Sequence, residues 1–365
     1  MKRVLVLTAS FGEGHNTAAR SIREALEATG EAEVRIGDLY AEATPRVNVT
    51  VKAGYSFAIN RAPWVWRLIF YWLDHPGWME ATMWTTRPLR DQLDRALADF
   101  RPDVIVSTYP LYAYLFRGIQ KTRLGVHMPF ITVITDSTGV NSAWYRCHSD
   151  AFVVADQETA QLLVSRGVPE SILHPLGFPV AGYFASGAPQ PPPNRPPWKL
   201  LFMPSTQATL TVKQIRALLE VPDIQLTVVT GRHERVFDAI KEAGLVGDRL
   251  QLIGWTDAMP RLLCEHHAFI GKAGGAIVQE ALAARCPFLV SHLVPGQEEG
   301  NIALIERLEV GTQALGSPEE LAEAAAKAFA DDARVWRRWK ENVERVGCSD
   351  AAGCIARFAL DFPAP

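Results

Sequence analysis

At 365 residues, with 48% hydrophobic and 21% charged content, the chain is too long for one ordinary core and too apolar for wholesale disorder, which suits two domains. A net charge of −3 argues against a nucleic-acid partner, because such binders carry a clear basic excess.

In chain order, residues 3–9 form an apolar run of strand length, followed by the turn SFGEGH and by Ala18, Ala19, Ile22, Ala25 and Leu26 at helical spacing. The short basic start and an apolar run of only about six residues read as a first β-strand, not as a secretory signal. Further strands are expected at 34–36, 104–108, 130–135 and 151–155, the last closing the sheet. They alternate with helical segments, and right-handed crossovers then predict a mainly parallel sheet in a first domain spanning 1–184. Residues 185–198, ASGAPQPPPNRPPW, are too rich in proline for a helix or central strand and read as a semi-rigid linker.

A second βα series follows, with strands expected at 200–203, 226–229, 250–253, 268–270 and 288–290 in a domain spanning 199–332. The tail from Ser317 reads as helical throughout, with SPEE supplying an N-cap and acidic first-turn residues. Trp336 and Trp339, three residues apart, would pack helices of 333–365 back on the first domain. The fold class is α/β, with two Rossmann-like domains whose parallel sheets face a cleft.

Residues 54–84 concentrate tryptophan. Val65, Leu68, Ile69, Trp72 and Leu73 recur at helical spacing, and Trp64, Trp66, Phe70 and Tyr71 widen that apolar face. The run is broken by Arg67 and falls far short of the roughly 20 residues needed to span a bilayer. Two readings stay open. One is a buried core helix. The other is a helix lying on an anionic membrane surface, because Trp and Tyr favour that interface and Lys52, Arg61, Arg67, Arg87 and Arg90 outnumber Asp74 and Glu80.

The loop at 10–15 carries Gly12 and Gly14 but Thr17 in place of a third glycine, which is weak support for a dinucleotide, with Asp38 as the corresponding acid. His15 arrives at a helix N-terminus on the C-terminal edge of the sheet, where open α/β folds bind ligands; it is either a working base or a cap. Asp136 follows the strand FITVIT and is either a general base or a cap for Ser137 and Thr138.

The densest signal is GKAGGAIVQEALAARCPFLVSHLVPGQEEGN at 271–301. Lys272, Ala273, Gly274 and Gly275 lead into a helix near Ala276, and a glycine turn there leaves backbone N–H groups suited to a phosphate. Glu280 falls one turn into that helix. Gln297, Glu298, Glu299 and Asn301 offer amides and carboxylates suited to sugar hydroxyls. Gly254 and Trp255, after RLQLI, would supply a backbone edge and an aromatic wall for a base. These features together indicate a nucleotide-sugar site.

The five cysteines, Cys147, Cys264, Cys286, Cys348 and Cys354, form no CxxC pair, so reduced thiols in a cytosolic protein are expected. Cys147 beside His148, and Cys264 near His266 and His267, lack the partner spacing of a zinc site, and no metal is expected.

At SFGEGHNTAA, LDHP, the TD of Asp136, GWTDAM, GKAGGAIVQEA and PGQEEGN the chain resembles the monogalactosyldiacylglycerol synthase and processive diacylglycerol glucosyltransferase family. These are inverting, metal-independent GT-B glycosyltransferases related to the peptidoglycan N-acetylglucosaminyltransferase. The resemblance implies that the second domain binds UDP-galactose or UDP-glucose. Gly274 and Gly275 would hold the diphosphate, Glu280 the ribose, Gln297 and Glu298 the sugar hydroxyls, and the Gly254 region the uracil. Gly14 and His15 fall in the acceptor loop, and diacylglycerol would reach the first domain from the membrane.

The chain departs from its relatives at residues 203–207, where they usually have a glycine-rich turn; Ser205 and Thr206 would act as phosphate donors there. Around Asp136 the sequence reads TDSTGVNSAWY, in which Trp144 would be the acceptor-loop aromatic that the resemblance implies. The expected protein is therefore a cytoplasmic, peripherally membrane-bound transferase of galactose or glucose to diacylglycerol. Its rivals are a UDP-N-acetylglucosamine-using transferase, a UDP-sugar epimerase of the same fold, and a non-enzymatic UDP- or lipid-binding protein.

Overall fold

The structure is a computed structural model that describes residues 1–10, 13–43, 86–120, 127–136, 139–185, 192–294 and 298–363. The calls on Trp64, Trp66, Trp72 and Gln297, and much of the proline-rich stretch, lie outside the described residues. The chain divides into two compact units. The first comprises Met1–Gly182 and Asp350–Pro365, and the second Tyr183–Val294 and Glu298–Ser349.

In the first unit the strands are β1 (Lys2–Thr8), β2 (Ala32–Asp38), β3 (Val104–Ser107), β4 (Phe130–Val133), β5 (Ala151–Val153) and β6 (Leu173–His174). They form one sheet in the order β2-β1-β3-β4-β5-β6 with every pairing parallel. Between them run α1 (Glu13–Ala28), α2 (Leu39–Ala43), α3 (Arg87–Phe100), α4 (Leu111–Ile119), α5 (Ser142–Tyr145) and α6 (Gln157–Ser165).

Parallel strands covered on both faces need apolar side chains in both directions, and β1 supplies them. Leu5 and Leu7 enter a core with Leu93, Phe116 and Phe130, whereas Val4 and Val6 enter the opposite core with Ile22 and Leu26 of α1. The sheet does not end at 151–155 as expected, because β6 extends it by two residues beyond β5.

The second unit contains β7 (Trp198–Phe202), β8 (Ile224–Val229), β9 (Leu250–Ile253), β10 (Ala268–Lys272), β11 (Phe288–His292) and β12 (Gly311–Gln313), all parallel in the order β12-β11-β10-β7-β8-β9. Its helices are α7 (Ala208–Glu220), α8 (Glu234–Glu242), α9 (Met259–Glu265), α10 (Gly275–Ala283), α11 (Glu299–Arg307) and α12 (Pro318–Val346). Relative to its first strand, the order is that of a doubly wound dinucleotide fold.

The tail is not helical throughout. Ser317 caps α12 by accepting from the Glu320 N–H, but Asp331, Asp332 and Ala333 sit at left-handed backbone angles and break it. Trp336 and Trp339 do not turn back on the first unit. They join the second unit's core with Trp198 and Phe202, where the Trp336 indole donates to the His267 carbonyl at 2.6 Å. The element that belongs to the first unit is a final helix, α13 (Ala351–Asp361), whose Ile355, Ala356 and Ala359 share a core with α1.

Candidate functional site

Each sheet reverses direction once, and the loops leaving the C-terminal ends of the strands at that point are where open α/β folds bind ligands. In the first unit the reversal lies between β1 and β3. Gly14 and His15 occupy the first turn of α1, just beyond β1, while Thr108 and Tyr109 follow β3. Thr135 and Asp136 follow the neighbouring strand β4.

The structure brings His15, Asp136 and Trp144 together. The Thr108 hydroxyl donates to the His15 carbonyl at 3.1 Å, and Thr135 Oγ1 lies 2.9 Å from His15 Nδ1. Burial pushes the His15 ring down to about 4, against a hydrogen bond that the ring donates to the Thr108 main chain and that raises it, so the imidazole is neutral near pH 7. The ring is fixed further by Tyr109, edge-on at 5.4 Å, and by Trp144 at 5.8 Å.

Asp136 is held differently. Its Oδ2 accepts from the Trp144 indole N–H at 2.7 Å, and no described residue bonds its other oxygen. Burial raises its carboxyl to about 6, with the Trp144 hydrogen bond pulling the other way. Trp144 itself is 3% exposed, and the Cys147 thiol donates to its carbonyl at 3.0 Å. It therefore meets Asp136 through its N–H and offers almost no open ring face.

Asp38 is committed to the fold. One of its oxygens accepts from the Ser10 N–H at 3.0 Å and from the Ser10 hydroxyl, and the other accepts from Ala41 N at 3.1 Å, which pins the turn after β1 to the start of α2. Sequence reasoning missed the tyrosines beside it. Tyr40 is hydrogen-bonded to Tyr109, and Tyr112 donates to the Thr8 carbonyl at 2.9 Å. The available signal was position, since Thr108, Tyr109 and Thr135 all stand at or just beyond strand ends.

In the second unit the reversal lies between β7 and β10. Met203 to Gln207 leave β7 and lead into α7, whereas Ala273 and Gly274 lead from β10 into α10. Neither helix is capped by its own N-cap residue: Gln207 and Gly274 hold those positions without a side-chain hydrogen bond. Two helix N-termini with uncapped amides therefore flank one point, an arrangement that favours an anion. Ser205 Oγ accepts from Gln207 N at 3.3 Å, and Thr206 is exposed.

The turn before α10 is held from α11. Glu298 is 4% exposed; its Oε1 lies 2.7 Å from the Lys272 ammonium and its Oε2 accepts from Val294 N at 2.7 Å. Asn301, also buried, donates through Nδ2 to the Ala273 carbonyl at 2.8 Å. Gly275 and Ala276 open α10, and Glu280 lies half-buried one turn on. His292, which the sequence reading passed over, pairs with Lys272 in the β10–β11 ladder, and burial together with the Lys272 charge pushes it down to about 4.

Beyond β9, Gly254 lies 3.9 Å from the Phe237 ring by its would-be Cβ, and Trp255 is 60% exposed with the Arg232 guanidinium 4.2 Å from its centroid. One indole face is thus covered by a cation, and the ring remains largely open to solvent.

Among the described residues no group of three or more His, Cys, Asp or Glu side chains is placed to hold a metal ion. The His266 and His267 rings are spent on the fold. The first bonds the Leu262 carbonyl and Thr227 Oγ1, and the second bonds the Lys199 N–H and the Pro193 carbonyl.

The profile of the monogalactosyldiacylglycerol (MGDG) synthase family matches residues 15–180. A processive diacylglycerol beta-glucosyltransferase from Bacillus cereus is 25% identical over 368 residues, covering 98% of this chain and 93% of that protein. The chain is therefore similar to this glycosyltransferase family, through the family model over residues 15–180 and through the glucosyltransferase along nearly its whole length. The two doubly wound units have the GT-B fold, and the likeness to these glycosyltransferases supports a hexosyltransferase enzyme.

Solved structures agree on the fold. A putative UDP-N-acetylglucosamine 2-epimerase from Listeria monocytogenes superposes with a TM-score of 0.65 at 12% identity, covering 98% of this chain and 96% of that one. MurG from Acinetobacter baumannii gives 0.59 at 13%, covering 99% and 100%. At such identities these likenesses establish architecture, and the chemistry of this protein rests on its own side chains.

Proposed function

We propose that the protein transfers glucose or galactose from UDP-glucose or UDP-galactose to the free hydroxyl of diacylglycerol at an anionic membrane surface, inverting the anomeric carbon. A diacylglycerol acceptor is supported by the activity of the relatives that match along the chain. The observation that carries the mechanism is the unequal setting of the two candidate bases. His15 has its ring engaged by Thr135 and by the Thr108 main chain, and its conjugate acid is too strong for a base near neutral pH. Asp136 keeps one oxygen without a described partner and titrates near 6, close to the working range of a general base.

Asp136 then takes the acceptor's proton as its oxygen bonds to the anomeric carbon. The bond from that carbon to the diphosphate oxygen breaks, and its electron pair leaves with UDP. Neutral His15 lines the acceptor side. The α10 amides at Gly275 and Ala276, Ser205 and Thr206 near α7, and Lys272 receive the charge developing on the leaving group. Trp255 offers its ring to the uracil and Glu280 its carboxylate to the ribose.

No helix among the described residues is long and apolar enough to cross a membrane, and attachment through the aromatic segment at 54–84 is part of this proposal. The reading is tested by incubating the protein with UDP-glucose or UDP-galactose and diacylglycerol vesicles and measuring the anomeric proton coupling of the glycolipid. A β-linked product from the α-linked donor is expected; an α-linked product overturns the single displacement.

A further inference from the structure

The pair formed by Lys272 and Glu298 assigns Glu298 a task other than touching the sugar. A carboxylate that recognises a hydroxyl needs an oxygen within reach of the ligand. Here one oxygen lies 2.7 Å from the Lys272 ammonium, the other accepts from the buried Val294 N–H at 2.7 Å, and the residue is 4% exposed. Lys272 is the opposite case. An ammonium has three protons, Glu298 takes one, and the lysine side chain remains 39% exposed.

The pair also straddles the turn. A Cβ built on Gly274, the N-cap of α10, would meet Lys272 Cε at 3.5 Å and Glu298 Oε1 at 3.6 Å, so the lysine stem and the carboxylate both lie against the point where the uncapped helix begins. Asn301 reinforces the arrangement from the same turn of α11 through the Ala273 carbonyl. A free lysine loses much rotamer entropy when it meets an anion. A lysine already tied to a buried carboxylate has lost it beforehand.

We propose that Glu298 is a positioning residue: it holds Lys272 at the start of α10 so that the remaining ammonium protons meet the diphosphate of a nucleoside-diphosphate sugar. This rests on the donor reading above and changes the part of it that would give Glu298 to the sugar hydroxyls. The two roles differ in which ligands feel the residue. A sugar contact matters only when the sugar is present, whereas a lysine holder matters whenever the diphosphate is.

Calorimetric titration of the full chain with uridine, UDP and UDP-glucose separates them, using the wild type, Glu298→Gln, Lys272→Met and the double variant. Each single change is expected to weaken UDP and UDP-glucose by the same factor, about tenfold for one charge-assisted hydrogen bond, with uridine binding unchanged as the control for an intact fold. The double variant is expected to bind no more weakly than Lys272→Met, because both changes remove one interaction. Weakening of UDP-glucose alone by Glu298→Gln would overturn the proposal in favour of a sugar contact, and unchanged affinity for both would overturn it outright. A wild type that binds uridine and UDP equally would overturn the diphosphate site itself, and the donor reading with it.

Discussion

Replacing Asp136 by Asn should stabilise the protein while removing its activity. The fold raises this carboxyl from an ordinary 3.8 to about 6, chiefly by burial. A folded state that raises an acid's pKa favours the protonated form. The stability it contributes is complete below the unfolded value and is lost as pH rises through about 6. At pH 7 the full displacement corresponds to about 3 kcal/mol, and the partial exposure of Asp136 reduces that to roughly 1–2 kcal/mol.

Asn cannot ionise and can still accept the Trp144 N–H through its side-chain oxygen, so it should recover this loss without repacking. Urea unfolding at pH 7.5 and pH 5 measures the effect. The variant should be more stable at pH 7.5, with about half the gain remaining at pH 5. No gain at pH 7.5, or an equal gain at both, would refute the burial argument. Transfer by the variant should fall about 10²–10⁴-fold, the ordinary range for loss of a general base.

Trp144→Phe removes the only described donor to Asp136, so the acid limb of the pH–rate profile, near pH 6 in the wild type, should move to higher pH with roughly a tenfold loss of rate. A limb near pH 4 in the wild type would point to His15 instead. Gly275→Val crowds the first amides of α10 and should abolish UDP binding in a titration, whereas Ser205→Ala should only weaken it. Trp336→Phe loses the buried bond to the His267 carbonyl and should cost about 1–3 kcal/mol in chemical unfolding. Replacing residues 64–73 by a polar helix should end co-sedimentation with anionic liposomes; retained binding would remove that segment as the anchor.

The strands that the sequence revealed are those with continuous apolar runs, such as β1, β4 and β11, because burial on both faces leaves that pattern. β6 and β12 escaped because strands of two and three residues at a sheet edge need no such run. The spacing of Trp336 and Trp339 indicated that they would be buried, but periodicity is silent on which core receives them, and the break at Asp331 to Ala333 has neither glycine nor proline to announce it.

His15 and Asp136 were legible because each follows a strand, and the strand ends of such sheets carry the ligands. Their partners were not. Whether Thr135 meets His15, or Trp144 meets Asp136, depends on how loops from β1 and β4 come side by side. The same limit hid the Lys272–Glu298 pair. Lys272 was picked out beside the phosphate turn and Glu298 for the sugar hydroxyls, and only their 2.7 Å contact shows that they meet each other.

The central claim is a lipid-dependent transfer, and the most direct measurement is UDP release from UDP-glucose and UDP-galactose with and without diacylglycerol vesicles, in the presence of a chelator. The account predicts UDP release that requires diacylglycerol, equals the sugar transferred to lipid and is indifferent to the chelator. Conversion of the UDP-sugar to an epimer without lipid, or UDP release unaffected by diacylglycerol, would contradict it.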